Sequence, residues 1–377
     1  MNKYRDRRCI ALVLMASLTL FSSCGYANAS GEVIQKGDKK ITVLNTNNSS
    51  GTLNAKSNSD FGIDRIQKYE GIRGGDWIND DSILITKENQ ELEPIHIFDQ
   101  MSLVRNIYSY DINSKKEKGL TGKSEYIWMP SMSPDGKYIF YEKVDESSAA
   151  WVIMDIEGNE KAVVAEEGSK DFRLHTSGAR WINNEEVIVP YSDNGVVLIN
   201  INSKVSKIEG IGLMQTDHAE KVGNNIYYIS AERNLVSYDI TTKKSKVLKE
   251  NVLDFELSPK KDIFAIEKKA GESRNLLVLT DVLGNEKDTL AEAKSIFGMS
   301  WSPDQSKLAY LITSEDESKA GLHLIDVNSK EDIYVSHDFL NVDNGLKWSP
   351  NGKKILGSIT DVKDMKAVDN TYIISLK

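Results

Sequence analysis

The segment Trp301-Ser302-Pro303-Asp304-Gln305-Ser306-Lys307-Leu308-Ala309-Tyr310 decides the fold, because it returns along the chain in altered copies. Each copy begins at an apolar residue, which we call its marker. The markers, in chain order, are Trp77, Met132, Trp181, Val222, Leu257, Trp301 and Trp348. Their mean spacing is about 45 residues, which suits repeating units of four β-strands.

Each copy predicts two strands joined by a tight turn. The marker ends one strand, Pro-Asp-Gly or its equivalent makes the turn, and an apolar run such as Lys137 to Tyr141 begins the next strand. Most units continue with a third strand that ends in Asp and a polar turn, and with a short fourth strand. The pattern predicts an all-β fold, a single β-propeller with seven blades of four antiparallel strands.

The Trp-Ser-Pro-Asp-Gly-Lys turn, followed by an apolar strand and a Tyr-Asp-Ile or Ile-Asp-Val strand end, resembles the TolB-like family of β-propellers with their WD40-like repeats. The resemblance covers about residues 62 to 377. The α/β domain that precedes the propeller in TolB is not expected here, since residues 25 to 60 are too short and too polar to form it.

The two ends of the repeat region predict how the ring closes. The residues after Trp348 suffice for a second and a third strand, and the missing fourth strand would leave an open edge. Residues 62 to 69 stand before Trp77 at the distance that separates a fourth strand from the next marker. We expect them to complete the last blade.

The N-terminus predicts export and a lipid anchor. A basic start is followed by the apolar run Cys9 to Phe21, which is too short to span a bilayer, and then by Ser22-Ser23-Cys24. These small residues before Cys resemble a bacterial lipobox, although Phe21 stands where lipoproteins prefer Leu. The alternative is ordinary cleavage after Ala29. We therefore predict a signal peptide (1–23), a lipidated Cys24 with a flexible tether (24–60) and the propeller (61–377), held at the extracytoplasmic side of the cell membrane.

The charge balance bears on partners. The full chain has a formal net charge of −9, and removal of the basic signal peptide makes it about −12. An acidic chain argues against non-specific binding of nucleic acid.

Catalytic motifs are missing from the sequence. It has no nucleophile elbow, no phosphate-binding glycine loop, no His-Glu-x-x-His and no paired Cys for a metal, and it is too short for the hydrolase domain of prolyl-oligopeptidase-like enzymes. The resemblance suggests one alternative, since oligogalacturonate lyases hold a metal with His and Gln at the channel mouth, where His175 and His218 could act with Gln215 or Asp217. Solvated or hydrogen-bonded loop histidines are the simpler interpretation, and we predict neither metal nor cofactor.

One face of the ring gathers residue types that are common at binding hot spots. We call it the loop face, because it carries the loops that enter the innermost strands and those that join second to third strands; the opposite side is the turn face. The residues predicted for a binding site there are Tyr126, Trp128, Phe172, Arg173, His175, Arg180, His218 and Phe339. The alternative is that the aromatic rings fold back over blade edges.

Two functions remain open from the sequence. The first is a non-catalytic, membrane-anchored envelope lipoprotein that binds a protein partner or ligand at the loop face. The second is an envelope enzyme or sensor that acts on a small ligand, such as an acidic saccharide, at the channel mouth.

Overall fold

The structure is a computed structural model, and it describes residues 31–36, 39–44, 61–97, 100–144, 149–165, 178–191, 195–211, 218–343, 345–363 and 366–377. The chain divides into two compact units, Met1–Asn58 and Ser59–Lys377. In the first unit, β1 (Gly31–Lys36) and β2 (Lys39–Leu44) form an antiparallel hairpin. The predicted signal peptide and Cys24 lie outside the described residues. Within the described ranges, no helix has the length and apolar character needed to cross a membrane.

The described residues of the second unit form strands and two short 3-10 helices. Its strands are β3 (Ile63–Glu70), β4 (Arg73–Asn79), β5 (Ser82–Glu88), β6 (Ile95–Ile97), β7 (Gln100–Ser102), β8 (Arg105–Asp111), β9 (Glu117–Gly119), β10 (Tyr126–Met132), β11 (Tyr138–Val144), β12 (Ala149–Asp155), β13 (Glu160–Ala165), β14 (Arg180–Trp181), β15 (Glu186–Tyr191), β16 (Gly195–Asn200), β17 (Val205–Glu209), β18 (Glu220–Val222), β19 (Asn225–Ile229), β20 (Leu235–Asp239), β21 (Lys244–Lys249), β22 (Val252–Leu257), β23 (Ile263–Lys269), β24 (Asn275–Asp281), β25 (Glu286–Ala293), β26 (Ser295–Trp301), β27 (Lys307–Thr313), β28 (Gly321–Asp326), β29 (Asp332–Ser336), β30 (Lys347–Trp348), β31 (Lys354–Lys363) and β32 (Lys366–Leu376). The helices are Glu317–Lys319 and His337–Asn341.

The strands form a β-propeller, which confirms the predicted all-β fold. Five blades are separate four-stranded antiparallel sheets, and an eight-stranded sheet contains two more four-stranded units. One parallel pair, Tyr126 opposite Arg105, joins these two units. Blade 1 is β4, β5, β8 and β9, blades 2 to 6 take the strands from β10 to β29 in fours, and blade 7 is β30, β31, β32 and β3. The described strands therefore make seven units, as predicted.

The hydrophobic core is divided among the seams between neighbouring blades. Seven buried apolar clusters each draw residues from two successive blades, and the series includes one between blade 7 and blade 1. In the cluster of blades 7 and 1, Trp77 packs with Leu356 and Ile373. Because sheets bury both faces against their neighbours, each blade depends on the next, and the ring is stabilised as a whole.

The repeated turn is held by its serine. The buried hydroxyls of Ser133, Ser258, Ser302 and Ser349 each accept a hydrogen bond from the backbone N–H five residues later, at 2.9 to 3.1 Å. Gly136 and Gly352 have φ of +71° and +68°, a backbone region that glycine adopts without a steric penalty. Gln305 takes the same backbone region in blade 6 with φ of +66°.

The marker tryptophans link successive blades. Each of the four donates its indole N–H to the backbone oxygen of the residue just before the previous blade's marker. The pairs are Trp77 with Lys347 at 2.9 Å, Trp181 with Ser131 at 3.3 Å, Trp301 with Glu256 at 3.2 Å and Trp348 with Ser300 at 2.9 Å. Trp77, Trp301 and Trp348 are core residues, since each is at most 8% exposed.

The ring closes as predicted. The strand β3 pairs antiparallel with β32 along its length, from Ile63 opposite Leu376 to Glu70 opposite Asn370. A buried polar contact secures the next seam, where the backbone N–H of Gly74 lies 2.9 Å from Ser358 Oγ and 2.8 Å from Thr371 Oγ1.

The closure predicts a difference between two truncations. Removal of residues 25 to 58 is expected to leave the stability of the propeller nearly unchanged. Removal of residues 25 to 70 also deletes β3, exposes the edge of β32 and is expected to lower the melting temperature by roughly 10 °C. Thermal unfolding followed by circular dichroism measures both, and equal melting temperatures would contradict the closure.

The indole hydrogen bonds predict the effect of a conservative change. Trp348→Phe keeps an aromatic ring but leaves the Ser300 oxygen without its donor, and is expected to lower the free energy of unfolding by about 1 to 3 kcal/mol. Trp151→Phe is the matched control, because the buried Trp151 indole N–H has no hydrogen-bond partner among the described residues. Urea unfolding compares the two variants; an equal loss in both would show that ring volume matters and the hydrogen bond does not.

Candidate binding site at the loop face

Two of the predicted residues lie together on the loop face. Tyr126 and Trp128, both on β10 of blade 2, have ring centroids 5.8 Å apart. The guanidinium carbon of Arg73, the first residue of β4, lies 5.6 Å from the centre of the Trp128 ring, a cation–π contact. Trp128 is 38% exposed, so its ring is accessible while one side is supported.

A network of charges holds Arg73 in place. Its Nη2 lies 3.4 Å from Asp343 Oδ2, and Arg105 Nη1 lies 2.7 Å from Asp369 Oδ2. The hydroxyl of Thr360 connects the two pairs, at 2.6 Å from Asp343 and 2.8 Å from Asp369. Because both arginines are largely buried and paired, the support under Trp128 is formed before any partner arrives.

The centre of the ring contains a cavity of about 640 Å³. It is lined by residues of all seven blades or of the segments that lead into them. The lining repeats with the sequence units: most residues that directly precede a marker line the cavity, together with the markers Trp77, Met132, Trp301 and Trp348. Six of the seven residues at this position line the cavity, namely Asp76, Ser131, Arg180, Glu256, Ser300 and Lys347.

Three carboxyl groups meet where blades 4 and 5 adjoin the channel. Burial, together with the charge of Glu256, raises the pKa of Asp254 to about 7. Burial and the same neighbour raise the pKa of Glu220, against the opposing charges of Arg180 and Lys261. Burial also raises the pKa of Glu256. These shifts mean that the corner holds carboxyl groups with too little positive charge beside them.

His218 borders the same corner. Its ring stacks on Phe255, with centroids 4.5 Å apart and an interplanar angle of 22°. Nε2 lies 3.9 Å from Glu256 Oε2 and is buried without a hydrogen-bond partner among the described residues. Burial, followed by the charge of Arg180, holds the pKa of His218 well below its usual value, so the ring is neutral at pH 7.

The structure separates the predicted site residues into groups. Tyr126 and Trp128 form one contact, whereas Arg180 and His218 line the cavity. Phe339 is a correction: it is 1% exposed and packs edge-on against Tyr372 in the seam of blades 6 and 7, because the 3-10 helix His337–Asn341 turns its ring inward. Three further predicted residues lie outside the described residues: Phe172, Arg173 and His175.

The sequence reasoning missed several charged residues of the site. Glu256 and Lys347 could have been found, since each directly precedes a marker, a position that lines the cavity in six of the seven units. Arg73, Arg105 and Asp254 carry no such signal, because their positions depend on bulges and on loop conformation.

The metal alternative has limited geometric support. Among the described residues, no group of three or more His, Cys, Asp or Glu could hold a metal ion. His175, Gln215 and Asp217, which that alternative requires, lie outside them. Elsewhere in the ring, His323 has a structural role, since its Nδ1 lies 2.8 Å from Asp332 Oδ2 and its Nε2 lies 2.9 Å from the Lys319 oxygen.

Comparison with known proteins identifies the fold. No known sequence family matches the chain. No curated protein matches it either. An uncharacterized protein from Listeria monocytogenes EGD-e superposes with a TM-score of 0.58 at 15% identity, covering 78% of this chain and 92% of that one. An oligogalacturonate lyase from Vibrio parahaemolyticus gives 0.56 at 12% identity, covering 92% of this chain and 97% of that one.

Two other solved structures complete the comparison. An oligogalacturonate lyase in complex with manganese has a TM-score of 0.54 at 11% identity, with 83% and 91% of the two chains covered. TolB from Acinetobacter baumannii reaches 0.46 at 15% identity, with 70% and 64% covered, which is too weak to assign the chain to the TolB family. At these identities the matches establish that the chain has a β-propeller fold, and the fold alone.

Proposed function

We propose that this chain is a non-catalytic, lipid-anchored binding protein of the cell envelope, whose propeller takes a protein partner at the loop face. The observation that carries the proposal is the Trp128 ring, which is 38% exposed and contacts Tyr126 and Arg73. Tryptophan, tyrosine and arginine are the residue types that most often dominate binding energy at interfaces.

The support beneath Trp128 favours tight binding. Arg73 is fixed by Asp343, and Thr360 ties this pair to that of Arg105 and Asp369. Side chains that are already ordered lose little conformational entropy when a partner docks. The arrangement therefore suits recognition by a rigid surface.

Exposed apolar residues extend the same surface over neighbouring blades. Met101 in the inserted hairpin of blade 1 is 64% exposed, and Val362 near the tip of the long β31–β32 hairpin of blade 7 is 79% exposed. With Trp128 in blade 2, three successive blades present large apolar side chains at the loop face. Such a concentration is typical of surfaces that bind proteins.

The membrane location belongs to this proposal and rests on the sequence. Ser22-Ser23-Cys24 follows a short apolar run, as in a lipobox, and the acidic propeller would then be tethered at the extracytoplasmic side of the membrane.

Trp128→Ala is the direct test of the binding surface. It removes the exposed ring and is expected to weaken the binding of the partner by roughly 1 to 4 kcal/mol. The matched control is Leu283→Ala, since Leu283 is 63% exposed on the turn face. The partner is first identified by cross-linking in intact cells, and its affinity for the purified variants is then measured by biolayer interferometry.

Two results would contradict this surface. One is that Leu283→Ala abolishes binding of the partner while Trp128→Ala leaves it unchanged. The other is a lowered melting temperature of the Trp128→Ala variant that accounts for the loss, which would show that the ring acts in packing.

Cys24→Ala tests the anchor. The variant lacks the thiol that would receive the diacylglyceryl group, and it is expected to be released from the membrane or to accumulate with its signal peptide uncleaved. Membrane fractionation followed by mass spectrometry of the N-terminus measures this. A mature parent chain that begins at Ser30 without lipid would contradict the anchor.

A second candidate is an envelope enzyme or sensor that acts on a small ligand such as an acidic saccharide. The cavity of about 640 Å³, with Arg180 and Lys347 in its wall, favours it. Stoichiometric metal in the purified protein, together with loss of saccharide turnover on its removal, would favour this candidate over the first.

A further inference from the structure

Two acidic side chains of blade 5 face the cavity without a close cation. Asp254 and Glu256 stand two residues apart on β22, and both line the cavity. Arg180 and Lys347 line it from blades 3 and 7, yet within the described ranges neither forms an ion pair with Asp254 or Glu256. Asp254 Oδ1 accepts a hydrogen bond from the Phe255 backbone N–H at 2.8 Å, but this bond does not neutralise its charge. A carboxylate removed from water without a countercharge is unfavourable, so the site is suited to an incoming positive charge.

A third acceptor stands beside them. A hydrogen bond to the Phe255 backbone occupies one ring nitrogen of His218, and Nε2 is the buried nitrogen that lacks a partner among the described residues. A neutral imidazole that donates through Nδ1 presents Nε2 as an acceptor. The side chain is 10% exposed, and its Nε2 lies 3.9 Å from Glu256 Oε2, so it is directed at the carboxyl pair.

We propose that Asp254, Glu256 and His218 form a site for a primary ammonium group in the channel. The three groups offer three acceptors, and a primary ammonium carries three N–H donors. A quaternary ammonium would bring the charge without the donors. The inference rests on the proposed function, because it names the chemical group that the binding protein would accept. That group can come from a small amine or from a lysine of the partner.

Isothermal titration calorimetry at pH 7.5 tests the site with three probes that share a pentyl chain and differ in the head group. Pentylamine is expected to bind saturably, whereas pentyltrimethylammonium and pentanol are expected to bind at least about tenfold more weakly, since each lacks the donors or the charge. Equal binding of all three would overturn the proposal, as would saturable binding of pentanoate in place of pentylamine. This comparison uses the parent chain and needs no variant.

Amide substitutions locate the site. Glu256→Gln and Asp254→Asn keep the size of the side chain. Each is expected to lower the affinity for pentylamine at least about tenfold. Glu157→Gln, at an exposed turn of blade 2, is the matched control and is expected to leave binding unchanged. Unchanged binding in both channel variants would overturn the assignment. Binding of Mn²⁺ that the same variants abolish, without pentylamine binding, would show a metal site and overturn it too.

The pH dependence gives a second measurement on the parent chain. The carboxyl must be ionised to hold the ammonium, and burial holds the pKa of Asp254 at about 7. Pentylamine is therefore expected to bind about tenfold more tightly at pH 8 than at pH 6. The charged groups that act on Asp254 and Glu256 are Glu220, Glu267, Arg180 and Lys347, and Lys261 acts on the neighbouring Glu220. Binding that stays constant over this range would contradict the role of Asp254.

A blocked Ala-Lys-Ala peptide distinguishes the two sources of the ammonium. Tighter binding than pentylamine points to a lysine of the partner, and weaker binding points to a small amine. Trp128→Ala is expected to leave the channel corner unchanged. If this variant loses the partner but binds pentylamine normally, the binding surface for the partner and the ammonium site are shown to be independent. Loss of pentylamine binding in that variant would overturn the placement of the site.

Discussion

The hydrogen bond from a marker tryptophan to the carbonyl of the preceding blade determines much of this molecule. It fixes the marker ring in the seam and the backbone of the neighbouring inner strand at the same time. Six of the seven residues that directly precede a marker line the cavity, next to the backbone that this bond fixes. The packing of the ring and the lining of the cavity are thus two results of one register.

The charged corner of the channel lies where this bond is missing. The markers of blades 4 and 5 are Val222 and Leu257, which have no indole to donate. The ammonium group of Lys261 from blade 5 links these blades in place of the indole bonds. It donates to the backbone oxygen of Ile182 in blade 3 and lies 3.4 Å from the backbone oxygen of Lys221 in blade 4. The apolar clusters of the other seams stabilise the ring, so this part of it can hold carboxyl groups at unfavourable pKa values.

The fold could be predicted well from the sequence, because the same local interactions recur in each repeat. The serine turn, the marker and the closing strand Ile63–Glu70 each follow from local chemistry that recurs or from an edge that must be covered. The site was predicted less fully. Trp128 was predicted from its residue type and its ring is partly exposed, whereas Phe339 belongs to the core, since a single turn of 3-10 helix decides where its ring points. Arg73 and Asp343 come together only when blade 7 meets blade 1, across about 270 residues of sequence.

The pairing of β3 with β32 also has a consequence for the order of folding. Its partners, such as Ile63 and Leu376, are about 300 residues apart in the chain, and closing so long a loop carries a large entropic penalty. Single blades can form as soon as their own strands are available, because their hairpins are local. The circle itself can close only after the last strand, β32, has been synthesised. Until then, strands at both ends of the incomplete ring have unpaired edges that can bind other chains. We therefore expect a ring that is closed by its first and last strands to fold slowly and to depend on chaperones.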